Sequence, residues 1–290
     1  MSRAGSSGTP LESERGRLAE AERPRNQIEV RDLRFPLGPV PRDWHGRGAA
    51  VSAYFDQLSV FFPAGERFFV RSVKHFAPRV TSPALAADVT AFCAQEGHHG
   101  REHLAYNERL EKEGLPIERL ERRVKFLLGL SQRLFSPHRQ LAVTCALEHF
   151  TSLMGELILG RPEALEGSDP TMSALWRWHA AEENEHRSVA FDLFQAMGGT
   201  WFTRCRAMVI VSLFFWSLVV LQQLAFMWRR GILFSPREHW RLFRFCFVDP
   251  GALSSLVRPY LSYFRRDFHP AARGGFELVE AWKRAQPSSS

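Results

Sequence analysis

A lone glutamate in an apolar stretch followed by a Glu-x-x-His pair occurs twice along this chain: Glu66, then Glu96 with His99, then Glu148, then Glu183 with His186. On a helix, residues three apart lie about 60° apart around the axis and one turn along it, so a carboxylate and an imidazole so spaced can grip one ion. Two metal ions held between four antiparallel helices require this supply, with one Glu from each of two helices and a Glu-x-x-His from each of the others. His179 lies four residues before Glu183 and shares its stripe. The expected metal ligands are therefore Glu66, Glu96, His99, Glu148, His179, Glu183 and His186.

Random placement of 23 Glu and 11 His among 290 positions gives about one Glu-x-x-His pair, so the pairs alone carry little. Their arrangement carries more. Both lie in helical segments, and each follows a lone Glu set among apolar neighbours, in SVFFPAGERFFV and LAVTCALEHFTSLMGELIL. Burying an uncompensated carboxylate there would cost several kcal/mol, so each needs a cation, a proton or a hydrogen-bond donor. A pair of cations would serve them all.

Three Ser/Asp-Pro dipeptides, at 82–83, 136–137 and 169–170, read as helix starts, with a capping residue and then proline in the first turn. Glycines at 114, 160 and 198–199 read as the matching stops. The expected helices run from 49 to about 75 with a bend near Pro63, from 83 to about 114, over 117–134, from 137 to 160, and from 170 to about 198. No alternating pattern of useful length competes, so the class is all-α. Residues 1–26 read as a flexible tail and 27–48, rich in Pro and Gly, as an irregular arm. A bundle over 49–199 then carries the ligands, and residues 200–284 add an apolar helix and carboxy-terminal helices packed on it.

Hydrophobic content of 45% against 24% charged residues is that of a globular chain able to bury a large core. The net charge of +7 comes from dispersed arginines without interleaved aromatic runs, so nothing points to nucleic acid; anionic lipid or an acidic substrate is the better match. Four cysteines without a C-x-x-C, and an amino terminus without a secretory pattern, predict a reduced cytoplasmic setting.

Around the ligands, His103 is placed to orient a ligand from behind, Glu182 and Glu185 point away from the ligand stripe, and His98 and Glu102 are expected on the surface. His149 is expected to pack, and His269 either lids the site or makes a turn contact. A competing motif, His99-x-x-Glu102-His103, fits the inverted zinc-peptidase order with Glu102 as base, but leaves Glu66, Glu148 and the second pair unused.

The segments FPAGERFF, QEGHHGREHLAYN, ALEHFTSLMGE, WHAAEENEHRSVAFDLF and YFRRDFHP resemble the bacterial family described as predicted metal-dependent hydrolases, over about residues 30–270. More broadly the chain resembles the ferritin-like di-iron superfamily, which implies a four-helix bundle with added carboxy-terminal helices. The three-histidine set is similar to that of the di-iron arylamine N-oxygenases, which implies His179 as the extra ligand. Two Fe ions are the expected cofactor, with Mn or Zn also suited to these donors. The implied chemistry is dioxygen-dependent oxidation of a small apolar or lipid-like substrate with an external electron donor. The alternatives are metal-dependent hydrolysis and a non-catalytic membrane-associated bundle.

Residues 207–228 form an uncharged run of 22 flanked by arginines, about 33 Å as a helix and so long enough to cross a bilayer. Membrane contact through this run is expected, with a core helix or a homodimer interface as the other ways of covering it.

Overall fold

The computed structural model describes residues 27–286; the tail read at 1–26 falls outside them. Eleven α-helices follow the arm: α1 Ala49–Ser59, α2 Phe62–Lys74, α3 Pro83–Lys112, α4 Ile117–Leu134, α5 Pro137–Gly160, α6 Pro170–His186, α7 Val189–Ala196, α8 Trp201–Arg229, α9 Pro236–Phe247, α10 Val257–Ser262 and α11 Phe276–Ala285. No strand occurs among the described residues, as the all-α reading requires.

Local sequence sets most boundaries. Ser82 Oγ accepts from Leu85 N, and Asp169 Oδ1 accepts from Thr171 N and Met172 N, so two of the three expected caps form. Ser136 starts α5 without a side-chain cap, leaving Pro137 alone to mark the turn. The helix expected over 49–75 is two helices. Pro63, which has no N–H and whose ring collides with the carbonyl four residues earlier, interrupts it at 60–61. The helix expected to reach 198 also divides, at 187–188, directly after the last predicted ligand. There Arg187 is buried, pairs with Glu156 at 2.7 Å and donates to the Gly274 carbonyl, which draws the chain aside.

Helices α2, α3, α6 and α5 pack as a closed ring, α2 on α3, α3 on α6, α6 on α5 and α5 on α2. Two glycines allow close approach within it. A Cβ at Gly100 on α3 would lie 2.9 Å from Glu66 Oε2 on α2, and one at Gly155 on α5 would lie 2.7 Å from the Ala180 carbonyl on α6. Outside the ring, α4 covers α2 and α3, α8 lies along α5 and α1, and α11 covers α5 and α6. The irregular arm crosses α3 and α6, joined to them by Phe35 N to Glu102 Oε2 (3.1 Å) and Arg31 to Glu185 (2.8 Å).

Candidate metal centre

All seven residues singled out by spacing meet inside the four-helix ring. Their donor atoms form three overlapping groups, each within 4.8 Å: Glu66 with His99 and His179; Glu96 with His99 and Glu183; Glu96 with Glu148 and His186. Every one of the seven is buried to 2% exposure or less. Glu66 comes from α2, Glu96 and His99 from α3, Glu148 from α5, and His179, Glu183 and His186 from α6, so the helix-by-helix supply matches the sequence pattern. Aromatic rings close the surroundings, with Phe62 edge-on 4.4 Å from His179, Trp178 4.9 Å from His99 and Phe92 4.8 Å from His186.

The inward-facing atoms lack protein partners. Both oxygens of Glu66, Glu96 and Glu148, with Glu183 Oε2, His99 Nδ1 and His186 Nε2, are buried without a hydrogen bond. Such orphaned groups are rare in folded proteins and mark an ion, a water or a functional site. Burial, with the neighbouring carboxylates, pushes Glu66, Glu96 and Glu148 well above the usual carboxylate range. Glu183 goes the other way: burial opposes it, but the imidazoles of His186, His179 and His99 hold it well below. His99 is raised to about 10 against its burial by its hydrogen bond to Glu182 and the nearby Glu183 carboxylate, whereas burial and the charge at His99 lower His179 to about 4. Cations at the centre would replace these protons as the compensating charge.

The histidines are aimed by their outer nitrogens. His99 Nε2 lies 3.0 Å from Glu182 Oε2, which leaves Nδ1 facing inward. His186 Nδ1 lies 3.1 Å from Gln95 Oε1, which leaves Nε2 facing inward, 3.4 Å from Glu96 and 3.6 Å from Glu148. This bracing is reciprocal. Glu182 on α6, one residue before Glu183, orients the histidine of α3; Gln95 on α3, one residue before Glu96, orients the histidine of α6. Arg31 from the arm reaches Glu182 (3.2 Å) and Glu185 (2.8 Å), and Gln95 Nε2 donates to Glu185 Oε2 at 2.8 Å. Partners of this kind fix ring orientation and raise ligand basicity in metal sites. His179 is backed by His103, whose Nε2 is 2.6 Å from His179 Nδ1; Ser59 Oγ lies 2.9 Å from His103 Nδ1 and donates to Asn107 Oδ1.

Several neighbours depart from expectation. Glu182 and Glu185 do point away from the ligand stripe, yet they are buried, because the arm covers them. Glu102, expected on the surface, is 3% exposed and bonded to Phe35 N and Arg101 (2.8 Å), again under the arm. That placement also dismantles the zinc-peptidase motif: Glu102 faces the arm while His103 faces Ser59 and His179. His98 is half-buried against the Arg31 carbonyl at 3.0 Å. His149 packs on Tyr263 and Phe268. His269 caps Ala271 N and pairs with Asp192 at 2.7 Å, which makes it a turn contact.

Glu66 has a second neighbourhood. It lines a cavity of about 400 Å³ between α2, α4, α5 and α8, whose walls include Phe69, Leu128, Val143, Leu147 and Phe215. The volume is that of a small-ligand pocket, and the lining is almost entirely apolar.

Carboxylates and imidazoles in three overlapping groups, with their inward atoms unpaired, are the donor types and spacing that hold a metal ion. No curated protein and no solved structure matches the chain. One family does, over residues 29–274, a span that holds the four-helix ring and nearly all of the arm. The chain belongs to the family described as predicted metal-dependent hydrolases.

Proposed function

We propose that the protein is a di-metal carboxylate enzyme in which Glu66, Glu96, His99, Glu148, His179, Glu183 and His186 hold two iron ions, and that it oxidises an apolar or lipid-like substrate with dioxygen. The observation that carries this reading is the double role of Glu66, which borders both the donor cluster and the apolar cavity. A substrate chamber of this lining selects hydrocarbon and excludes water, which suits oxidation better than a reaction consuming water. Bound iron would supply the redox chemistry with dioxygen as oxidant, and an external donor would supply the electrons. This chain's own residues hold the ions, aim the imidazoles through Glu182, Gln95 and His103, and present the substrate beside Glu66. Mn or Zn suits the same donors.

Anaerobic reconstitution with Fe(II) followed by metal analysis should find about two irons per chain, and the loaded protein should consume oxygen on mixing with air. Protein that takes up no stoichiometric iron, or takes it up without consuming oxygen, defeats the oxidative reading. Hydrolysis by metal-activated water is the second reading, favoured by the family's description. Ester or amide turnover under strict anaerobiosis with Zn or Mn would establish it instead.

A further inference from the structure

Helix α8 is apolar on two opposite sides for different reasons. Its inner stripe, including Met208, Val211, Val219 and Phe226, is buried against the bundle in both halves of the helix, and Gln223 there donates to the Ala50 carbonyl at 3.0 Å. Its outer side leaves Leu213, Phe214, Val220, Leu221 and Trp228 more than half exposed. Of the two helices among the described residues that are long and apolar enough to cross a membrane, α5 is 72% buried over its apolar window and α8 only 28%. A spanning α8 would have to abandon its inner stripe, so the geometry suits a helix lying in the membrane plane.

The charge beside this surface is mostly basic, with Glu118 the exposed exception on α4. Between residues 201 and 248 the only acidic side chain is Glu238, which is buried and bonded to Ala50 N and Arg241. Arg206 and Arg229 stand exposed near the two ends of α8. Beside it, α4 places Arg119, Arg123, Phe126, Leu130 and Leu134 on one stripe, basic first and apolar after; Phe126 and Leu134 are about two-thirds exposed. Neither Arg119 nor Arg123 has an ion-pair partner among the described residues, and Arg122 pairs with Glu118 at 3.5 Å.

The cavity opens here. Its lining runs from buried Glu66 and Phe69 out to exposed Leu130, Leu134 and Phe214 on α4 and α8. A shallow groove sharing Leu127 and Leu218 with the cavity carries Arg119, Arg122 and Arg123. An apolar chamber thus adjoins a cluster of guanidinium groups, the complement of an acyl chain beneath an anionic headgroup.

We propose that the α4–α8 face docks on an anionic lipid bilayer, and that the cavity takes an acyl chain from that bilayer through the gap between α4 and α8. The second statement rests on the reading of the cavity as the substrate chamber; the first does not. A second copy of the chain is the poorer occupant of this face, because it brings arginines against arginines.

The full-length protein, without iron or oxygen, should float with phosphatidylglycerol vesicles at low salt and much less with phosphatidylcholine vesicles. Leu213→Glu with Leu221→Glu should cut the vesicle-bound fraction at least tenfold, with an unchanged melting temperature because both sites are exposed. Arg119→Glu with Arg123→Glu should abolish the preference for the anionic vesicle. A fluorescent single-chain fatty acid should bind the protein in solution, and Leu147→Trp, which fills the cavity, should lose that binding while still floating. Failure to float with anionic vesicles overturns the docking, whether or not the fatty acid binds, and so does a soluble dimer that Leu213→Glu with Leu221→Glu dissociates. Floating protein whose fatty-acid binding survives Leu147→Trp overturns the entry route alone. Since no arm uses turnover, none depends on whether the metal reading holds.

Discussion

At the scale of single residues, a carboxylate and an amide do most to shape the centre without facing it. Glu182 and Gln95 each sit one position before a predicted ligand glutamate and each fix the histidine of the opposite helix. Glu182→Ala should leave the fold intact but weaken metal binding by about 10–100-fold, measured by competition with a chromogenic chelator; unchanged affinity would make the contact incidental. The sequence carries a legible trace of such bracing in His103, expected behind a ligand and found against His179, whereas Glu182 and Gln95 reach across to the opposite helix, which spacing along one chain segment does not report. Glu102 shows why exposure was harder to read: its cover is an irregular arm with no periodicity, so nothing in α3 reports that the arm lies there. Far from the centre, His45 Nε2 donates to the Ala164 carbonyl and Nδ1 accepts from Arg47 N, a neutral ring whose burial lowers its pKa to about 4. Because the folded value lies below the ordinary 6.5, this ring's contribution is complete above that pH and is lost as pH falls toward 4. The loss is on the order of 3 kcal/mol. Urea denaturation from pH 7 to 4 should therefore fall off less steeply in His45→Gln than in the parent; parallel slopes would assign the acid sensitivity elsewhere.

At the scale of helices, what the sequence marked strongly it marked correctly. Proline after a capping residue starts α3 and α6, and proline alone starts α5; α4, read by amphipathic period, keeps its expected 117–134 span. The two missed interruptions differ in kind. Pro63 does announce a break, and its strength was read as a bend; the break at 187–188 has no proline or glycine and arises from tertiary demand on Arg187. Interhelix distance was illegible, because a helical glycine reads the same whether it faces solvent or a neighbour. Gly97 and Gly155 separate the cases. A Cβ at Gly97 meets nothing within 4 Å, so Gly97→Ala should stabilise by up to about 1 kcal/mol through helix propensity. A Cβ at Gly155 meets Asn184 Nδ2 at 2.5 Å and the Ala180 carbonyl at 2.7 Å, so Gly155→Ala should destabilise by roughly 1–3 kcal/mol despite the same propensity gain. Denaturant midpoints that move in the same direction for both would contradict the close α5–α6 approach.

At the scale of the whole molecule, four helices bring together like charges that only an added cation or proton can reconcile, so folding and loading should be linked. Metal at about 100 times its dissociation constant should stabilise the loaded protein by about 2.7 kcal/mol, raising its melting temperature by several degrees. Chelation should reverse the gain, and Glu148→Ala should show a smaller one; a melting curve indifferent to Fe, Mn and Zn would mean the cluster is satisfied by protons. The ring that gathers these residues was foreseeable from spacing, whereas the cavity beside Glu66 was not, since its walls come from four helices with no shared motif. The reciprocal brace between α3 and α6 has one last consequence. Neither helix carries a self-sufficient half of the centre: a transplant of the α3 motif into another scaffold would arrive with its imidazole free to spin, and a lesion in one helix is felt at the histidine of the other.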